Sequence, residues 1–450
     1  MTRSTDDPAT TSRRDFLKTT GAALGAAAVL PAGGRLAARP AAAGPTISYW
    51  HLWTDAFYGG LQDKLTAQFN ATNPGFTVKP FRNAGGDQKV ILAITSGQPP
   101  DVWMMQSAPI DKAVIGALQP LDSYIASSKV IRQSDFFAST WNTGVFRGHV
   151  YAIPYDFDTV SLYWNKDLLK RAGLDPETPP ETWAELQRYA ERLTLKDAKG
   201  NLTQVGFSPT LLGFTTAQEM WGWALGGRYW DYAATKPTLT DPANVKALQW
   251  EVDWVNHFGG AKGLDRFSGS LSSLSNFYGT KVAMWMAESY YLSYLFKYVP
   301  SVKNIGVAPF GVPRPDTSHP FITGNVDGNM IAIPTGSKNA AQAWKFIEWT
   351  CSTGIRAWAT AEGDLGARQD TMNVRPSFLP PNLQADYQVF THLQPRALYN
   401  QGSPIDGVYS QALTKAIYDA THGNATPLEA LQTAQATCEH ALSKALLHFH

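Results

Sequence analysis

The chain has 450 residues, a formal net charge of +1 and only 17% charged residues. That balance supplies no basic face for nucleic acid and none for an anionic membrane surface. Two cysteines, Cys351 and Cys438, could form one disulfide or remain two buried thiols, and neither has the C-x-x-C neighbour of a zinc or redox site. The first feature in chain order is Ser12-Arg13-Arg14-Asp15-Phe16-Leu17-Lys18, a complete twin-arginine pattern. An apolar stretch from Gly21 to Leu30 and a small-residue run, Ala41-Ala42-Ala43-Gly44, complete the three parts of an export signal. The apolar core is about 10 residues, whereas a bilayer-spanning helix needs roughly 20. The mature chain is therefore expected to begin near Gly44 and to work outside the cytoplasm, in the periplasm or cell envelope. No cysteine follows the apolar core, so a lipid anchor at that point is not expected.

Beyond the signal, Ile47–Trp50 reads as a first strand. Phe57, Leu61, Leu65 and Phe69 recur every four residues, one face of a helix that stops at Asn73-Pro74-Gly75. Phe76–Val78 is a second strand, Val90–Thr95 a helix, and Asp101–Met105 a buried third strand after Gly97-Gln98-Pro99-Pro100. Such βαβαβ alternation predicts an α/β fold with a parallel sheet and a ligand site beyond the carboxyl ends of its strands. Later, Thr182-Trp183-Ala184-Glu185 is a capping box opening a helix with Trp183, Leu186, Ala190 and Leu193 on its apolar face. Ala340, Ala343, Trp344, Ile347 and Cys351 mark another helix, expected to end near Gly354.

Fifteen Trp, 18 Tyr and 21 Phe are unusual for two cores of ordinary size. An indole N–H needs a partner when buried, so complete burial of so many tryptophans is costly. Flat aromatic faces suit the C–H faces of sugar rings, with N–H and O–H tips free to bond hydroxyls.

Several segments, in order, resemble the extracellular solute-binding proteins of sugar-type ABC importers. Ser96-Gly97-Gln98-Pro99-Pro100-Asp101-Val102 is similar to one such segment, and Tyr151–Tyr155 leading to Leu162–Leu168 to another. Ala172–Asp175 with Pro179–Trp183, Phe277–Met284 and Ser337–Ile347 follow in the same order. The resemblance implies a two-lobed periplasmic-binding-protein fold with a ligand cleft between the lobes, closing through crossover hinges near Ile153–Asp158 and Thr323–Gly328. On that expectation residues 1–43 are the signal, 44–155 and 323–365 form lobe 1, and 156–322 and 366–450 form lobe 2 with the C-terminal helices. Gly324 and Gly328 suit a hinge. The implied partners are a carbohydrate, the permease subunits of an importer and the twin-arginine export machinery, with no cofactor, no metal and a monomeric state.

Carried over residue by residue, the resemblance implies a set of cleft-lining side chains. Asp55 follows the first strand and Gln106 ends the third. Asp156 and Asp158 lie at the first crossing, and Asn325 and Asp327 at the return. Trp285, Glu288 and Tyr290 follow Ala283-Met284, where a stacking aromatic is common. Arg368 lies in a segment that has Gly366 where the family usually has Pro, and Phe214 and Trp230 come from loops of variable sequence. Carboxylates accept from hydroxyls, Asn, Gln and Arg donate or bridge, and aromatics cover ring faces.

Two rival readings remain. Exported glycoside hydrolases also combine tryptophans with paired carboxylates, but the chain has no G-x-S-x-G, H-E-x-x-H or G-x-x-x-x-G-K-[ST]. Pro176–Trp183 and Thr426–Leu431 also resemble the glycerol-phosphate-binding branch, which holds phosphate with an arginine shortly before the last long helix. Between Gln401 and Tyr409 there is no Arg or Lys, which leaves Arg396 as the candidate donor for a polyol phosphate.

Overall fold

The computed structural model describes residues 44–106, 109–210, 215–271, 280–299, 303–399 and 402–447. The twin-arginine segment and Phe214 lie outside those residues. Eight strands form one sheet: β1 (Thr46–His51), β2 (Thr77–Arg82), β3 (Val102–Gln106), β4 (Ile153–Asn165), β5 (Met284–Glu288), β6 (Ile305–Val307), β7 (Gly324–Ala332) and β8 (Leu398–Tyr399). Along the sheet the order is β5-β4-β7-β3-β1-β2, with β6 also paired to β4 and β8 to β7.

The sheet is mixed, which corrects the expectation of a parallel one. β1 pairs in parallel with β2 and β3, as the βαβαβ reading requires. β7 then runs antiparallel to both β3 and β4, and β5 and β6 run antiparallel to β4. The reason is the 13-residue strand β4, whose every position is buried. It leaves one hydrophobic core and enters another, so the strand that returns must oppose it.

Two large cores flank this passage. Lobe 1 gathers β1–β3, the start of β4, the end of β7, and helix Ala340–Trp349 with its continuation. Lobe 2 gathers the rest of β4, β5, β6, and helices Trp183–Leu193, Tyr290–Tyr298 and Pro381–Leu393. Phe157 belongs to the first and Val160 to the second. A third cluster joins helices Asp406–Thr421 and Pro427–Leu446 to Tyr229, Trp230, Leu239 and Leu248. Cys351 lies in the first core and Cys438 in the third, and both are free thiols.

Local chemistry explains the elements. Asp55 Oδ1 accepts from the N–H groups of Phe57 (2.7 Å) and Tyr58 (2.6 Å) and so opens helix Tyr58–Thr72. Phe57 therefore precedes that helix and is exposed, while Leu65 and Phe69 reach the core. Thr182 and Glu185 form the expected capping box. The helix expected to stop near Gly354 instead passes through a π-helical turn, Thr350–Gly354, and continues as Ile355–Glu362. The wider turn keeps Ile355, Trp358 and Ala359 buried after Cys351 has ended the first apolar row. Gly324 and Gly328 are required by close approach. A Cβ on Gly324 would stand 2.7 Å from the Trp223 ring, and one on Gly328 would stand 2.6 Å from the Asp156 carbonyl.

Candidate ligand site

The candidate site is centred where three strands come side by side at the passage between the two cores. In the adjacent strands β3, β7 and β4, Asn329 is the register partner of both Gln106 and Asp156. Asp156 Oδ1 accepts from the Asn329 backbone N–H (2.9 Å) and from its side-chain amide (2.6 Å). Asp156 is buried, so this charge-assisted pair ties the outgoing strand to the returning one. Asn329 was not among the expected residues. Its only signal is an amide standing before the apolar run Met330–Ile333, and its Oδ1 is buried with no partner among the described residues.

Two residues farther along β4, Asp158 has crossed to lobe 2. Its Oδ1 accepts from the Ser289 hydroxyl at 2.8 Å, and its register partner is Asp327, beside a bulge that separates Asp327 from Asn325. Asn325 lies opposite Thr159. Glu288 ends β5 with its carboxylate buried, and Tyr290 opens the next helix with its ring 4.5 Å from Tyr291. The Tyr163 hydroxyl donates to the Glu288 carbonyl at 2.9 Å. Burial first, then the negative charges of Asp386, Asp158 and Glu288, push the Tyr163 phenol well above its ordinary range. Through Ser289, Asp158 is thus tied to the segment between Glu288, the end of β5, and Tyr290, the start of the next helix.

The lobe 1 face carries a second group. Trp53 packs on Trp358 with ring centroids 4.6 Å apart, and Trp358 in turn donates its indole N–H to Asp364 (3.1 Å). The Trp53 N–H and Asp55 Oδ2 are both buried with no hydrogen-bond partner among the described residues. One donor and one acceptor therefore stand two residues apart just past the end of β1. Trp53 was not anticipated, although its place after a strand end was a usable signal.

Three expected residues are placed elsewhere. Trp285 is mid-strand in β5, fully buried, and stacked on Tyr163 (5.6 Å, 18°), which makes it part of the lobe 2 core instead of a sugar platform. Arg368 is held in lobe 1 by a two-pronged contact with Asp370 (3.2 Å each) and by the Val130 carbonyl (3.2 Å). Trp230 packs edge-on against Tyr409 (6.0 Å, 89°) in the third cluster. Arg396 stands exposed on the short turn before β8. Among the described residues no three His, Cys, Asp or Glu side chains are grouped to hold a metal ion.

Residues 53–355 match the family of bacterial extracellular solute-binding proteins. The chain belongs to it. Residues 10–31 match the twin-arginine translocation signal, so this solute-binding protein is an exported one. Among described residues no helix is long and apolar enough to cross a membrane. It is 26% identical to the sn-glycerol-3-phosphate-binding periplasmic protein UgpB of Escherichia coli (strain K12), over 74% of this chain and 78% of that one. The mannobiose-bound structure of CpMnBP1 matches with a TM-score of 0.74 and 27% identity, covering 88% of this chain and 99% of that one. The sugar-binding protein MalE of Xanthomonas citri shares the fold, with a TM-score of 0.71 and 20% identity over 89% and 98% of the two chains. These relatives are binding proteins, and the two-lobed α/β fold is common to them.

Proposed function

We propose that this protein captures a neutral saccharide between its lobes and delivers it, as a monomer and unchanged, to the permease of an ABC importer. The observation that carries the reading is the set of buried polar atoms on lobe 1: the Trp53 N–H, Asp55 Oδ2 and Asn329 Oδ1 have no hydrogen-bond partner among the described residues. A sugar hydroxyl donates and accepts at once, so it satisfies such a mixed set, and burying these atoms without a partner costs free energy. Asp55, Gln106, Asn329 and Asp156 hold the ligand from lobe 1 and the crossing, with Asp158, Glu288 and Tyr290 closing from the other side. The saccharide bound by CpMnBP1 supports this class of ligand.

UgpB favours the second reading, a polyol phosphate. The buried carboxylates of Asp156, Asp158 and Glu288 oppose it, because a phosphate dianion beside them meets like charge. Arg368 is already committed to Asp370. Calorimetry with mannobiose, maltose and glycerol 3-phosphate decides between the two. Saccharide binding with the sugar recovered intact is the expected result. Tight binding of glycerol 3-phosphate alone overturns the saccharide reading, and release of a cleaved product moves the protein to the hydrolases.

A further inference from the structure

Helix Tyr290–Tyr298 belongs to lobe 2 through Tyr290, Tyr291, Leu292, Tyr294 and Leu295. Ser293 and Lys297, one turn apart, share a different face, and that face meets lobe 1. It abuts the end of helix Ile355–Glu362, which is rooted in the lobe 1 core by Ile355 and Trp358. The approach is close at Gly363, which has φ +75° and where a Cβ would stand 2.1 Å from Ser293 Oγ. One turn on, the Lys297 ammonium donates to the Ala361 carbonyl (3.1 Å) and lies 3.4 Å from the Glu362 carboxylate. It also sits 4.3 Å from the centre of the Phe57 ring, on the lobe 1 loop that carries Asp55, and 4.1 Å from that of Phe378, packed against lobe 2.

The chemistry suits a cation at this place. The last carbonyls of a helix have no intrahelical donor, and their partial negative charge favours a cation beside them. Glu362 is itself buried, which pushes its carboxyl up to about 8, and the Lys297 ammonium beside it opposes that rise. Phe57 is exposed to 37%, so its contact with Lys297 is a lid over the pair and not part of a core. A single lobe 2 side chain therefore grips two separate elements of lobe 1, and both grips break if the lobes part.

We propose that Lys297 is a positioning residue for ligand capture: an interlobe latch that sets how strongly the closed arrangement is favoured, and hence the affinity, without touching the ligand. The inference rests on the reading of the protein as a lobe-closing binder but not on which solute it takes. A state whose population falls lowers the apparent affinity by the same factor.

The test is a distance measurement on the ligand-free mature protein. Spin labels are placed on Gln68→Cys in lobe 1 and Arg188→Cys in lobe 2, both exposed on helices, while Cys351 and Cys438 are buried. Lys297→Met should shift the interlobe distance distribution to longer values, Glu362→Gln should shift it less, and Lys297→Arg should restore it. The same variants, titrated with mannobiose, should show affinity lowered roughly three- to tenfold for Lys297→Met, with recovery in Lys297→Arg. Two independent variants protect against one that misfolds, and thermal melts report that directly. Unchanged distances in both Lys297→Met and Glu362→Gln overturn the latch. If the unmodified protein ignores mannobiose, the saccharide reading is what fails, and the ligand-free distances still decide the latch.

Discussion

Trp53 and Trp285 are both withdrawn from solvent, at 1% and 0% exposure, and each belongs to a hydrophobic core, yet their places along the strands differ. Trp285 lies within β5, where every residue is buried, and its ring is fixed by its cross-strand partner Tyr163. Trp53 lies two residues past the end of β1, packed on Trp358, with its N–H unpartnered among the described residues. Residue type does not separate them; place along the strand does. A tryptophan inside a strand meets its neighbours through the pleat, whereas one past a strand end lies outside the ladder, on the side where α/β folds place their ligands.

The strongest way to break the comparison is Trp285→Ala. It should lower stability by about 3–5 kcal/mol in urea denaturation, while the protein that remains folded keeps its saccharide affinity. Normal stability with lost binding would return Trp285 to the ligand site.

Acid probes the lobe that carries Trp53. His51 is fully buried in lobe 1, and burial, reinforced by Arg82 and partly opposed by Asp63, lowers its pKa to about 4. The unfolded chain, with an ordinary imidazole near 6.5, takes up a proton first, so this contribution is intact above that value and is lost as pH falls toward 4. The shift is worth on the order of 3 kcal/mol, and His51→Gln should flatten the stability profile across that window. A wild-type profile already flat between those pH values would show that the imidazole is solvated.

Asp156→Ala sharpens the contrast in a different way, because that carboxylate is proposed to line the site and also ties β4 to β7 through Asn329. Stability should fall by about 2–3 kcal/mol, with saccharide affinity falling as well. Loss of affinity at full stability would mean that Asn329 holds the strands without it. Trp53→Phe gives the smallest expected effect: the ring is kept, the N–H is lost, and affinity should drop by about 1 kcal/mol, several-fold, with melting temperature nearly unchanged. Unaltered affinity there would remove Trp53 from the site.

Much of this molecule could be read from its residues in order. The export signal, the βαβαβ start, the capping box at Thr182 and the family resemblance rest on local chemistry: a hydroxyl before a helix, a period of two or four, a small-residue run. The acids are a different case: Asp156 and Asp158 lie within β4 and Glu288 is the last residue of β5, so they are strand residues at the passage between the cores. Tertiary structure alone decided that β7 runs antiparallel and that the helix beyond Thr350 continues. It also decided that Arg368 turns to Asp370 and that Asn329 stands between Gln106 and Asp156. These outcomes depend on partners 2 to 223 positions away, because Arg368 is two residues from Asp370 and Asn329 is 173 from Asp156 and 223 from Gln106. A sequence pattern reports which face of an element is apolar, but which distant side chain completes a buried charge is fixed only when the lobes are assembled around it.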